Sequence, residues 1–138
     1  MSVIMATMMV DKSYANKLED AVEAYRRGSY SNEAEQFLAL TKDGDAVSQF
    51  LLGYMHATGQ GVVQNYTEAA KWYRLAAEEG DADAQYKLGV LYERGLAVAQ
   101  DLAEAINWYR FAANNGHPEA QKKLDLFYLS LDGGIYKL

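Results

Sequence analysis

The stretch DADAQYKLGVLYERGLAVAQDLAEAINWYRFAANNG, residues 81–116, decides the fold because the chain repeats it. The preceding stretch, residues 45–80, reads DAVSQFLLGYMHATGQGVVQNYTEAAKWYRLAAEEG and agrees with it at 16 of 36 positions without a gap. Residues 29–44 overlay the second half of this unit, and residues 117–130 overlay its first half. A repeat of this period is typical of an array of helix-turn-helix units.

Each unit predicts two helices. In the second half of the unit, apolar side chains recur at helical spacing along one face: Leu102, Ala105, Ile106, Tyr109, Ala112 and Ala113. Asp81 has the position of an N-cap, Asp101 and Glu104 form a capping-box pattern, and glycines follow both helices. Applied to the whole chain, these signals predict helices at 13–27, 30–43, 46–58, 66–79, 82–94, 102–115 and 118–131.

Composition sets limits on the class of protein. The chain has 138 residues, which is the size of one domain, and we divide it into an N-terminal segment (1–12) and a single repeat domain (13–138) with units 13–44, 45–80, 81–116 and a half unit 117–138. A net charge of −6 argues against a nucleic-acid partner. The chain has no cysteine for disulfides or thiolate metal sites, and no apolar run long enough for membrane insertion.

The repeat resembles the Sel-one-like repeat family, which is related to the tetratricopeptide repeats. The family's motif is matched by Ala84, Leu88, Gly89, Tyr92, Gly95, Val98, Asp101, Glu104, Ala105, Trp108, Tyr109, Ala112, Ala113 and Gly116. The unit at 45–80 departs from the motif at Ser48 and His56, and the last half unit at Asp125 and Leu131. The resemblance implies an all-α fold, a right-handed α-solenoid of antiparallel helix pairs with about three and a half repeats. It also implies binding of another protein or peptide, with no catalytic residues.

The resemblance further implies that first helices form the inner, concave wall of the solenoid. In the register of the repeat, that wall would present Val47, Ala57, Asp83 and Glu119 and eight candidate partner-binding residues: Phe50, Tyr54, Tyr86, Val90, Glu93, Lys122, Leu126 and Leu129. An aromatic residue at the position of Phe50 and Tyr86 belongs to the family pattern. The alternative for those two residues is therefore that they pack neighbouring first helices together.

Candidate chemical groups have structural explanations in the repeat register. His56 lies at the position of Tyr92, which predicts a packing residue, and His117 lies at the position of Asp81, which predicts a helix cap. The Gly-rich stretch GQGVVQNY, residues 59–66, follows a predicted helix rather than a strand, so it is interpreted as a turn and not as a phosphate-binding loop. Trp72-Tyr73-Arg74 and its repeat at 108–110 are interpreted as packing between repeats. The sequence predicts no metal site and no cofactor.

The leading functional hypothesis is a non-enzymatic scaffold or adaptor, a class that includes inhibitor and immunity proteins. The alternative is a β-lactam hydrolase, as described for cysteine-rich relatives, although this chain lacks those cysteines. The last predicted helix has no second helix to cover it, so Ile135 and Tyr136 are candidates to fold over it, and the helix is also a candidate homodimer surface. As it stands, the sequence has no signal peptide and fits the cytoplasm, whereas a leader removed from its start would place it in the periplasm or at the cell envelope.

Overall fold

Six helices follow one another in the computed structural model, which describes residues 22, 23, 28, 30–41 and 44–131. They are α1 (Tyr30–Thr41), α2 (Ala46–Thr58), α3 (Tyr66–Glu78), α4 (Ala82–Arg94), α5 (Leu102–Asn114) and α6 (Pro118–Leu131). In repeat register α2, α4 and α6 are first helices, and α1, α3 and α5 are second helices. Across the described ranges, none of these helices combines the length and the apolar character needed to cross a bilayer.

Local signals place the helix ends. Carboxylate or amide oxygens of Asp45, Asn65, Asp81 and Asp101 accept hydrogen bonds from the first free N–H groups of α2, α3, α4 and α5. Left-handed glycines follow the helices, with φ of 76° at Gly44, 75° at Gly59, 97° at Gly80, 68° at Gly95 and 88° at Gly116. Both features were predicted from the sequence and are confirmed.

The predicted helices at 46–58, 82–94 and 118–131 match α2, α4 and α6. Helices α3 and α5 end one residue earlier than predicted, because Glu79 and Asn115 take the C-cap positions. Helix α1 is described to Thr41, since residues 42 and 43 lie outside the described residues. The predicted helix at 13–27 also lies outside them, except that Val22 and Glu23 are helical. Residues 1–12 and 132–138, including Ile135 and Tyr136, are likewise outside.

The two capping boxes form only in part. The side chain of Asp101 accepts from the N–H of Glu104 at 3.0 Å, as predicted. The N–H of Asp101, which a capping-box glutamate would accept, instead donates to the carbonyl of Tyr92 at 3.0 Å, and the N–H of Asn65 donates to that of His56 at 2.8 Å. These bonds connect the start of each of these second helices to the end of its first helix, so they hold the two ends of the intervening loop together.

Within each pair, a tyrosine of the second helix lies against a glycine of the first. A Cβ atom added at Gly53 would come within 2.6 Å of the Tyr73 ring, and one at Gly89 within 2.7 Å of the Tyr109 ring. Both tyrosines are buried. A side chain at either glycine would force the helices apart, so the two glycines set the distance between the helices of a pair.

Three apolar clusters hold the helices in sequence. The first joins α1 to α2 through Phe37, Leu40, Leu52 and Met55, the second joins α3 to α4, and the third joins α5 to α6. Each buried large apolar side chain contributes about 1.5–3 kcal/mol relative to an exposed one. The main contacts of every described helix are with its neighbours in the chain. The result is an all-α solenoid of antiparallel helix pairs, as predicted.

Candidate functional site

The eight candidate partner-binding residues lie on three first helices, and we refer to them together as the first-helix wall. Phe50 and Tyr54 are on α2, Tyr86, Val90 and Glu93 are on α4, and Lys122, Leu126 and Leu129 are on α6. Their exposure and their contacts differ from helix to helix.

On α2 both aromatic residues are half-buried. The ring of Phe50 lies 5.8 Å from that of Tyr73 and 6.3 Å from that of Tyr54, measured between centroids. The ammonium of Lys87 on α4 lies 5.6 Å from the centre of the Tyr54 ring, which is within cation–π range. Phe50 and Tyr54 therefore contribute to packing inside the solenoid.

On α4 the ring of Tyr86 contacts two other aromatic rings, a tyrosine and a histidine. Its centroid is 5.6 Å from that of Tyr109 on α5 and 4.4 Å from the imidazole of His117, on which it stacks. Val90 is half-buried against the cluster that joins α5 to α6. Phe50 and Tyr86 each have one ring contact to a tyrosine of a second helix, because Gly53 and Gly89 leave room for those tyrosines. Tyr86 also stacks on the N-cap residue of the next first helix, and Phe50 packs against the cluster that joins α3 to α4. The packing of these two aromatics between neighbouring first helices stays a prediction.

Glu93 connects three helices. Its carboxylate accepts a hydrogen bond from the Tyr109 hydroxyl on α5 at 2.7 Å and pairs with the Lys123 ammonium on α6 at 3.0 Å. Burial raises the pKa of Tyr109 above its usual range, and the hydrogen bond to Glu93 raises it further. The phenol therefore stays protonated and keeps donating. Glu93 acts mainly as a link between repeats.

The α6 residues of the wall are the exposed ones. Leu126 is 55% exposed and Leu129 is 47% exposed. The Lys122 ammonium pairs with Glu119 at 3.1 Å, and both side chains remain mostly in solvent. Asp125 lies beside them and accepts from the Gln121 side-chain amide at 2.9 Å. We call Lys122, Asp125, Leu126 and Leu129 the α6 open face.

Some residues of this region were missed in the sequence. Asp125 was noted only as a departure from the motif, although it occupies the position of Gly53 and Gly89, where first and second helices touch. Lys123 was not singled out, and its register mate Lys87 makes a different contact in the preceding unit. Comparison of the three first helices position by position is the signal that would have found Asp125.

The two histidines take structural positions. His117 Nδ1 accepts from the N–H of Ala120 at 3.2 Å, which confirms the predicted cap, and its Nε2 lies 3.2 Å from a carboxylate oxygen of Asp83. His56 is half-buried, with Nδ1 facing no hydrogen-bond partner. Within the residues that the structure covers, no three histidine, aspartate or glutamate side chains group in a way that would hold a metal ion.

Solved structures share this architecture. A Sel1 repeat protein from Oxalobacter formigenes aligns with 83% of this chain at a TM-score of 0.76 and 34% identity, and the alignment covers 47% of that protein. A protective antigen of uropathogenic Escherichia coli strains with an SLR fold aligns with 78% of this chain at a TM-score of 0.73 and 32% identity, covering 24% of its own length. This chain therefore spans about half of the first relative and a quarter of the second.

Helicobacter pylori cysteine rich protein B shares the fold, with a TM-score of 0.67 over 83% of this chain and 97% of its own, but only 18% identity. A search of curated proteins gave no match.

The family model described as Sel1 repeat matches residues 46–81 and 82–117, which together make up more than half of the chain. Each match covers one helix pair, α2 with α3 and α4 with α5. Proteins of this family are generally non-enzymatic helical scaffolds that bind other proteins. The two matches and the relatives at more than 30% identity establish that the chain belongs to the Sel1 repeat family.

Proposed function

We propose that this protein is a non-enzymatic scaffold or adaptor that binds a partner protein or peptide on its concave face, through the first-helix wall. The observation that carries the proposal is the exposure of Leu126 and Leu129, which are 55% and 47% exposed at wall positions. Burial of an exposed apolar pair against a partner removes apolar surface from water, which lowers the free energy of the complex. The family's general role in protein binding supports the same assignment.

Within the wall, the residues on α6 are the ones that we expect to provide binding energy. Phe50, Tyr54, Tyr86 and Val90 pack against buried clusters, and Glu93 is bonded to Tyr109 and Lys123. These five residues would shape the surface next to α6 and add edge contacts. A few well-placed apolar side chains commonly dominate the energy of a protein interface.

Affinity capture from the native organism tests the proposal with two matched double variants. Leu126→Ser with Leu129→Ser removes the exposed pair of the wall, whereas Leu75→Ser with Phe111→Ser removes an exposed pair, 45% and 54% exposed, from second helices α3 and α5. We expect the wall variant to lose a partner that the wild type and the second-helix variant both retain. With that partner purified, the wall variant should bind at least about tenfold more weakly, which corresponds to about 1.4 kcal/mol. Retention of every partner by the wall variant would contradict the proposal.

The last helix was also predicted as a homodimer surface, and the mass of the protein in solution decides between a second copy and another protein as the occupant of α6. A monomer at working concentration leaves the α6 open face available to another protein. A dimer that dissociates in the Leu126→Ser, Leu129→Ser variant would assign the face to a second copy of the chain. Sedimentation equilibrium of both proteins makes the measurement.

A further inference from the structure

Resting on the proposed function, we propose that the α6 open face selects its partner helix by charge. The preferred partner carries a basic side chain at the position where a second helix of this fold has its tyrosine. Asp125 excludes a helix that has a tyrosine at that position. Helices α2 and α4 carry second helices on the face that is equivalent to the α6 open face.

On α2 and α4 the second helix packs through one tyrosine. The Tyr109 ring lies over Gly89, beside the ring of Tyr86, and its hydroxyl reaches Glu93. Tyr73 lies over Gly53 and beside Phe50 in the same way. The residue at the glycine position of the first helix therefore decides which second-helix side chain fits opposite it.

On α6 each of these three contacts is replaced. Asp125 stands at the glycine position, Lys122 at the position of Tyr86, and Leu129 at the position of Glu93. A Cβ atom at the glycine position comes within 2.6–2.8 Å of the tyrosine ring in both existing pairs, so a tyrosine cannot take its usual place over Asp125. Covering the carboxylate with a ring would also remove it from water without an opposite charge.

The charges of the face indicate which side chain fits instead. Lys122 and Glu119 neutralise each other at 3.1 Å, and within the described residues the partner of Asp125 is the neutral side-chain amide of Gln121, at 2.9 Å. Among the four residues of the α6 open face, Asp125 is therefore the one charge that no described residue compensates. An arginine at the tyrosine position would pair with this carboxylate in two-pronged geometry and lay its aliphatic stem along Leu126 and Leu129.

The proposal is tested with a second helix of this protein as the probe. Two synthetic peptides of residues 100–116, one of native sequence and one with Tyr109→Arg, are titrated to about 1 mM into the full-length protein labelled at leucine methyls, a range in which weak binding is still detected. We expect the peptide with Tyr109→Arg to shift the methyl signals of Leu126 and Leu129. The native peptide should bind at least tenfold more weakly.

Asp125→Gly is the matched variant, because it restores the residue found on α2 and α4. It should reverse the preference, so that the native peptide becomes the tighter ligand. Equal binding of the two peptides to the wild type, no methyl shift with either peptide, or a preference that Asp125→Gly leaves unchanged would overturn the proposal. The proposed function would stand independently if the Leu126→Ser, Leu129→Ser variant still lost its native partner.

Discussion

Ala97 has a positive φ of 62° and is the one non-glycine residue with this property in the described part of the chain. Its counterpart in the preceding unit is Gly61, with φ of 74°. The left-handed conformation costs a residue with a Cβ atom about 1–2 kcal/mol, whereas glycine adopts it freely. Gly61 in the stretch GQGVVQNY thus allows the left-handed turn. In the next unit Ala97 adopts the same conformation with backbone strain.

We therefore expect Ala97→Gly to stabilise the protein by about 0.5–1 kcal/mol, the relief of strain less the added freedom of glycine in the unfolded chain. Gly61→Ala should destabilise it by a similar amount. Urea unfolding followed by circular dichroism measures both. A destabilising Ala97→Gly would show that the turn does not require the left-handed conformation.

A second residue-scale difference concerns Gln49 and Gln85, which occupy the same buried position in successive units. Gln85 Oε1 accepts from the side-chain amide of Asn115 at 3.0 Å. Gln49 Oε1 is buried with no hydrogen-bond donor facing it, and the residue in the register of Asn115 is Glu79, whose side chain lacks the N–H groups of an amide. A buried acceptor left without a donor costs about 1–3 kcal/mol.

Glu79→Asn should supply that donor and stabilise the protein by about 1 kcal/mol. The substitution also removes a negative charge from the C-terminal end of α3, which by itself is mildly stabilising. Glu78→Asn removes a charge from the same turn and serves as the control. If the two variants unfold at the same denaturant concentration, Gln49 gains no hydrogen bond and the prediction is wrong.

At the scale of helices, Gly89→Ala should separate α4 from α5. The added methyl group would lie 2.7 Å from the Tyr109 ring, and overpacking of this kind costs about 1–3 kcal/mol, more than the gain in helix propensity. Asp125→Ala lies at the same register of α6, where the described residues place no second helix, and we expect a change within about 0.5 kcal/mol. Denaturant unfolding of the two variants makes the comparison. Equal effects would mean that the glycine-tyrosine contact does not set the helix spacing.

The sequence predicted the helices well because their ends depend on neighbouring residues, such as Asp81 before α4 and Gly95 after it. For the first-helix wall, the sequence predicted only which positions of the repeat belong to it. The repeat pattern does not say which of those side chains already contact other residues of the protein. The Glu93–Lys123 pair joins residues 30 positions apart, and its formation depends on how α6 docks. The contact of Tyr86 with Tyr109 similarly depends on the fit of two helices, which local pattern does not encode.

Across the whole molecule, contacts between repeats recur with the period of the sequence. The guanidinium of Arg74 donates to the hydroxyl of Tyr92, and Arg110 Nε donates to the hydroxyl of Tyr128 at 3.2 Å. Both pairs join a second helix to the next first helix at the same register. His56 takes the place of Tyr92 in the preceding unit, and Leu38 takes the place of Arg74, so this polar link is absent between α1 and α2. Coupling between neighbouring helices therefore differs along the solenoid.

A solenoid whose helices contact mainly their sequence neighbours should lose structure locally when one interface is weakened. Leu124 is buried between α5 and α6, and Leu124→Ala should cost about 2–5 kcal/mol, nearly all of it at that interface. We expect amide hydrogens of α6 to exchange much faster in this variant, with smaller changes in α2 and α3. Leu52→Ala, at the same register between α1 and α2, should reverse the pattern. Hydrogen exchange measured by mass spectrometry resolves the helices, and equal acceleration in all of them in both variants would show that the solenoid unfolds as a single cooperative unit.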